Sequence, residues 1–196
     1  MRRISTAGVL FAALAVLFAG SAQAAPATYS DKSGDSLDTR ASMDIVAVRY
    51  DVRQVDNAGP LSLVVEMELA APPERVLASY DTYAQTADCG TVSTHYGTGT
   101  TAKVSVFGSG PGGAFHVGCG SPADVYGSTG TCLDAEFVIE GTTLRWSIAL
   151  DGLPEQLRRG STFGKLRAYA RTSEPTNPSH TGLPMDYAST GQSWSY

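Results

Sequence analysis

The chain has 196 residues, with 14 lysines and arginines against 19 aspartates and glutamates, a formal net charge of −5, 21 glycines and 10 prolines. The acidic balance argues against nucleic acid and anionic membrane surfaces as partners, since both attract a basic patch. The glycine and proline content exceeds what a helical protein carries and fits strands and turns.

Residues 1–24 read as a signal peptide. Arg2 and Arg3 form a basic leader, 9–19 is an apolar run too short to span a bilayer, and Ala22-Gln23-Ala24 is a small-x-small cleavage site. Cleavage there removes two arginines and no acid, leaving 12 basic against 19 acidic side chains in residues 25–196. That length suits a single domain with a real core. No later stretch is long and apolar enough to cross a membrane, so the expected location is secreted, extracellular.

An acidic loop follows: Asp31-Lys32-Ser33-Gly34-Asp35, then Asp38, then Asp44 at the head of a strand-like run. Four carboxylates this close repel one another. The loop must be solvated, as a turn whose Asp and Ser side chains cap backbone N–H groups, or neutralised by a cation. Calcium is the natural candidate, because it takes carboxylate and carbonyl oxygens from flexible loops. The spacing is not that of an EF-hand. Asp186, near the other end of the domain, could complete a site begun by Asp31 and Asp35, since domain termini are often close.

Beyond the loop the hydrophobic period is two. In 60–69, Leu61, Leu63, Val65, Met67 and Leu69 share one face, with Ser62, Val64, Glu66 and Glu68 on the other. In 142–150, Leu144, Trp146, Ile148 and Leu150 alternate with Thr143, Arg145 and Ser147. These are half-buried antiparallel strands. Weaker strands are expected over 43–52, 75–83, 91–96, 102–107, 114–119, 133–139 and 162–172. Turns fall at 56–60, 97–99 and 108–113, with a tight hairpin at Glu140-Gly141. One helix of about two turns is expected over 153–159. About nine short strands at this spacing predict an all-β, antiparallel β-sandwich, jelly-roll or immunoglobulin-like. The stretch 173–189, with three prolines, reads as a long loop.

Three cysteines follow the signal segment: Cys89, Cys119 and Cys132. An oxidising compartment favours one disulfide, and Cys119–Cys132 across the loop 120–131 is the preferred pair, worth about 2–4 kcal/mol. Cys89 with either partner remains open, because spacing does not fix connectivity. A zinc set from Cys89, His95, His116 and Cys119 conflicts with strand parity between His116 and Cys119. Gly108-Ser109-Gly110-Pro111-Gly112-Gly113 has the spacing of a phosphate loop but precedes a strand, so it reads as a hairpin. No catalytic motif surrounds His95, His116 or His180, and an enzyme is not expected. Trp146 reads as core by alternation, and Trp194 lies too near the C-terminal end for a rigid platform. Tyr80, Tyr83, Tyr96 and Tyr126 could line a face.

The arrangement Asp31, Gly34, Asp35, then Asp44-Ile45 heading a strand resembles the opening of secreted bacterial β-sandwich modules related to family 9-type carbohydrate-binding and DOMON-like domains. The ending is similar too: an arginine- and alanine-bearing strand over 165–171, a polar loop, Asp186-Tyr187-Ala188, and a short aromatic segment at 194–196. The resemblance covers both ends and the strand order, not 86–131. It implies a sandwich with structural calcium near Asp31, Asp35, Asp44 and Asp186. The expected function is therefore a secreted, non-catalytic β-sandwich protein, calcium-supported, binding an extracellular polymer, glycan or protein. The alternatives are a protease-inhibitor-like interaction factor presenting 120–131 or 173–184, and, further off, a secreted hydrolase. The target's contacts are expected in the unmatched middle, 86–131. An outward row of aromatics would favour a glycan.

Overall fold

The computed structural model describes residues 25–55, 59–73, 78–86, 90–97, 102–110, 113–119, 135–153, 157, 162–174, 177–191 and 193–195. The signal segment, Cys89, Cys132 and the 120–131 loop lie outside them, and with them the disulfide. Of the helix expected over 153–159, only Leu153 and Leu157 are described, both buried, behind a 3-10 turn at Leu150–Gly152.

The described strands are β1 (Ala27–Ser30), β2 (Ile45–Gln54), β3 (Leu61–Leu69), β4 (Ala78–Thr86), β5 (Thr91–Gly97), β6 (Lys103–Gly110), β7 (Gly113–Cys119), β8 (Ala135–Glu140), β9 (Thr143–Ala149), β10 (Thr162–Glu174), β11 (Asn177–Thr190) and β12 (Trp194–Ser195). They form two antiparallel sheets. One runs β1-β2-β3-β9-β8, and the other runs β11-β10-β4-β5-β6-β7 with β12 paired to β10. The sandwich expectation is met, with β1, β11 and β12 added to the expected set.

Alternation decides which side of each sheet is dry. In the first sheet Tyr50, Val65, Trp146 and Phe137 stand in register across four strands, forming one inward layer. Trp146 and Val65 are fully buried, as the patterns of 142–150 and 60–69 require. In the second sheet Leu166, Ala84, Val92 and Val106 make a matching layer. The sheets meet through aromatics: Tyr96 of β5 stacks on Phe137 of β8 at 4.8 Å, and Tyr50 of β2 lies 6.1 Å from Trp194 of β12. The Tyr80 hydroxyl donates to the Ser42 carbonyl at 2.9 Å, tying β4 to the 3-10 turn Ala41–Met43. The Glu140-Gly141 hairpin forms as expected, with Gly141 at φ +61, a left-handed conformation that favours glycine.

One expectation is corrected. Residues 173–189 are not a long loop: β10 extends to Glu174, and β11 returns from Asn177 to Thr190. Proline cannot donate to a ladder, which is why the three prolines argued for a loop. However, β11 is the edge of its sheet, where a missing N–H costs no partner. Pairing there is also irregular, with register shifts beyond Ala170 and Pro184 opposite Arg171.

Candidate functional site

The acidic loop leaves β1 at Asp31, whose N–H still donates to the Val46 carbonyl at 2.9 Å. Ser33-Gly34 turns the chain, with Gly34 at φ +84. That turn is held by Asp44, which is 5 % exposed. The Gly34 N–H and the Ser33 hydroxyl both donate to Asp44 Oδ2, at 2.7 and 3.2 Å. Farther on, the Leu37 N–H (2.7 Å) and the Ser36 hydroxyl (3.2 Å) donate to the Met185 carbonyl of β11. The loop is thereby docked on the strand that carries Asp186.

Asp186 is 7 % exposed. Its carboxylate accepts the Ile45 N–H at 2.5 Å and the Tyr187 N–H at 2.8 Å. Carboxylate oxygens of Asp31, Asp35 and Asp186 lie within 4.8 Å of one another. Three of the four expected ligands are thus brought together, and the fourth, Asp44, braces the loop from behind. Asp38 is diverted: it accepts hydrogen bonds from the Arg40 guanidinium and backbone, which holds its carboxyl below the usual range.

The cluster carries an electrostatic cost. Burial raises the Asp186 carboxyl above its ordinary range; its two N–H donors oppose this, and the charges of Asp31 and Asp35 add to it. Asp31 is raised by burial and by Asp35 and Asp44, against the Lys32 N–H. Two carboxylate oxygens, Asp31 Oδ2 and Asp44 Oδ1, are buried without a hydrogen-bond partner. Buried acceptors in that state are costly unless a proton or cation reaches them. The donor set fits a hard cation: it is all oxygen, partly from a flexible loop, with no thiolate or imidazole. Asp31, Asp35 and Asp186 are the residues that could hold such an ion.

A second feature lies on the outer face of the β11-to-β7 sheet. Alternation along β10 turns Lys165, Arg167, Tyr169 and Arg171 away from the buried Leu166, Ala168 and Ala170. Register then sets Tyr187 beside Tyr169, and Arg167 beside Tyr83. The Tyr169 and Tyr187 rings are 4.9 Å apart, and Tyr83 meets Tyr169 edge-on at 5.8 Å. The Arg171 guanidinium sits 4.5 Å over the Tyr169 ring, with its Nε 3.8 Å from Asp81. Asp81 in turn lies 2.6 Å from His95 Nδ1, a pair able to fix one imidazole tautomer. A groove of about 240 Å³ opens among Tyr83, Tyr169, Lys165, Arg167 and Arg171.

Of the described tyrosines singled out in sequence, only Tyr83 faces outward here. Tyr80 is fully buried, Tyr96 packs between the sheets, and Tyr126 lies outside the described residues. Tyr169 and Tyr187 were missed, although the period-two pattern of 165–171 already separates Tyr169 from the alanines. Tyr83, Tyr169 and Tyr187 lie outside 86–131, much of which is beyond the described residues. Comparison with family models, curated proteins and solved structures finds no match.

Proposed function

We propose that this chain is an exported, non-catalytic β-sandwich binding module. Its first loop and last long strand are clasped by calcium, and it acts on an extracellular polymer or glycan. The observation that carries the reading is the convergence of Asp31, Asp35 and Asp186, with Asp31 Oδ2 buried and without a hydrogen-bond partner. The resemblance at both ends of the chain supports the same clasp. The role of the metal is structural. It holds β11, and on β11 the inward Asp186 is followed directly by the outward Tyr187, so the clasp steadies one edge of the aromatic face. A hydrolase reading would start from the His95–Asp81 pair and would need a nucleophile brought to the other imidazole nitrogen.

Thermal melting of the mature protein in calcium and in chelator tests this. A native-state site should add about 4 kcal/mol at a thousandfold excess over its dissociation constant. Asp186→Asn should abolish most of that increment. An unchanged melting temperature across the calcium range would refute the clasp.

A further inference from the structure

The geometry points to the groove between Tyr83 and Tyr169 as a binding site for an anionic saccharide, a sugar unit bearing a carboxylate or sulfate; the inference rests on the binding-module reading and specifies its ligand. Charge sets the class. The chain as a whole is acidic, at −5. Its outer β10 face nevertheless presents Lys165, Arg167 and Arg171 within seven positions of one strand, and all three line the groove. Among the described residues, the carboxylate bordering this face is Asp81, which is 3 % exposed and already engaged by His95 and Arg171. The surface a ligand meets is therefore cationic. Lys165 and Arg167 are solvent-exposed, and an arginine fork suits a carboxylate or sulfate in bidentate geometry.

The aromatics set the other half of the chemistry. Tyr187 is 45 % exposed, and its ring continues the line from Tyr169 to the sheet edge. Tyrosine rings pack on sugar C–H faces while their hydroxyls remain wet. The rings are tilted rather than coplanar, at 39° for Tyr169 and Tyr187 and 80° for Tyr83 and Tyr169. That is unsuited to a flat, uncharged chain laid across the sheet. It suits a single ring anchored by its charge, and about 240 Å³ is smaller than the roughly 300–1,000 Å³ of sites for drug-sized ligands.

The test measures binding of the mature protein in calcium to dextran sulfate, polygalacturonate and uncharged dextran, by affinity electrophoresis and by titration at two salt concentrations. The expected result is retention by either or both anionic polymers and none by dextran. Dextran sulfate alone would assign sulfate, and polygalacturonate alone would assign the carboxylate. Arg167→Ala and Tyr83→Ala should each weaken binding at least tenfold, whereas Arg145→Gln, on the opposite sheet, should not. Melting curves of the variants confirm that they fold. Equal binding to dextran would overturn the anionic class. Binding to none of the three, dependence on Arg145 as strong as on Arg167, or self-association abolished by Tyr187→Ala would overturn the site. The calcium shift in melting is read separately, so failure here leaves the clasp standing or falling on its own result.

Discussion

Asp186 and Tyr187 show how much one step along a strand decides. Asp186 faces inward, opposite Ala170, and its carboxylate accepts two backbone N–H groups beneath the acidic loop. Tyr187 faces outward and joins the aromatic row. A one-residue slip of β11 would exchange these roles and dismantle both features. Trp146 makes the same argument for the core. It is fully buried between Val65 and Phe137, with its ring 5.1 Å from Phe137. Trp146→Ala should cost about 3–5 kcal/mol in chemical denaturation, from lost contact and the cavity left behind. Trp146→Phe should cost clearly less. The indole N–H is buried without a partner, so that substitution removes an unpaired donor along with the packing atoms.

At the scale of elements, the outer face of the β1-to-β8 sheet is a charge ladder. Register places Arg49 beside Glu66 and Glu66 beside Arg145. Arg53 reaches Glu66 at 2.5 Å and Asp51 at 3.3 Å, and Arg49 reaches Asp51 at 2.8 Å. The side chains are partly screened, with Asp51 at 7 % exposure and the arginines of β2 at 30–39 %. Opposite charges directly across strands stabilise a sheet modestly. Glu66→Gln should therefore lower stability by about 1 kcal/mol at low salt, and the loss should shrink as salt is added. A loss that does not change with salt would show that Glu66 acts through its short-range hydrogen bond to Arg53.

For the whole molecule, acid should act on the two ends of the acidic loop in opposite senses. Asp31 and Asp186 have folded pKa values above the ordinary 3.8. With calcium chelated, the folded state binds protons there before the unfolded chain does, so stability should rise as pH falls from neutral towards 3.8. With calcium present the ligands must be ionised, so the stabilising increment from calcium should shrink over that same window. Asp38 has the opposite sign. Its folded pKa is lowered by Arg40, so its contribution is present above 3.8 and is lost only as pH falls below it. Melting temperatures from neutral to strongly acid pH, with calcium and with chelator, should converge first and then fall together.

Most strands of this protein could be read from alternation, because a half-buried strand repeats every two residues, as Leu63, Val65, Met67 and Leu69 and then Leu144, Trp146 and Ile148 do; Leu61, expected on the dry face, is 40 % exposed, and Ser62 and Val64, expected on the wet face, are buried. The acidic residues that converge were also readable, since repelling carboxylates in one glycine turn ask for a neutralising partner. What sequence could not supply was the neighbour relation. Proline content hid β11, because only the assembled sheet shows that this strand is an edge, free of the donor requirement that excludes proline. The four-residue β1 was too short for a period to show. The tyrosine and arginine face needed the register of β10 against both β4 and β11, residues about eighty positions apart in the chain for the first pairing. Local pattern determined the main inward rows; pairing across the sheets, a non-local choice made by the shared core, decided which outward residues would stand together and which would be covered.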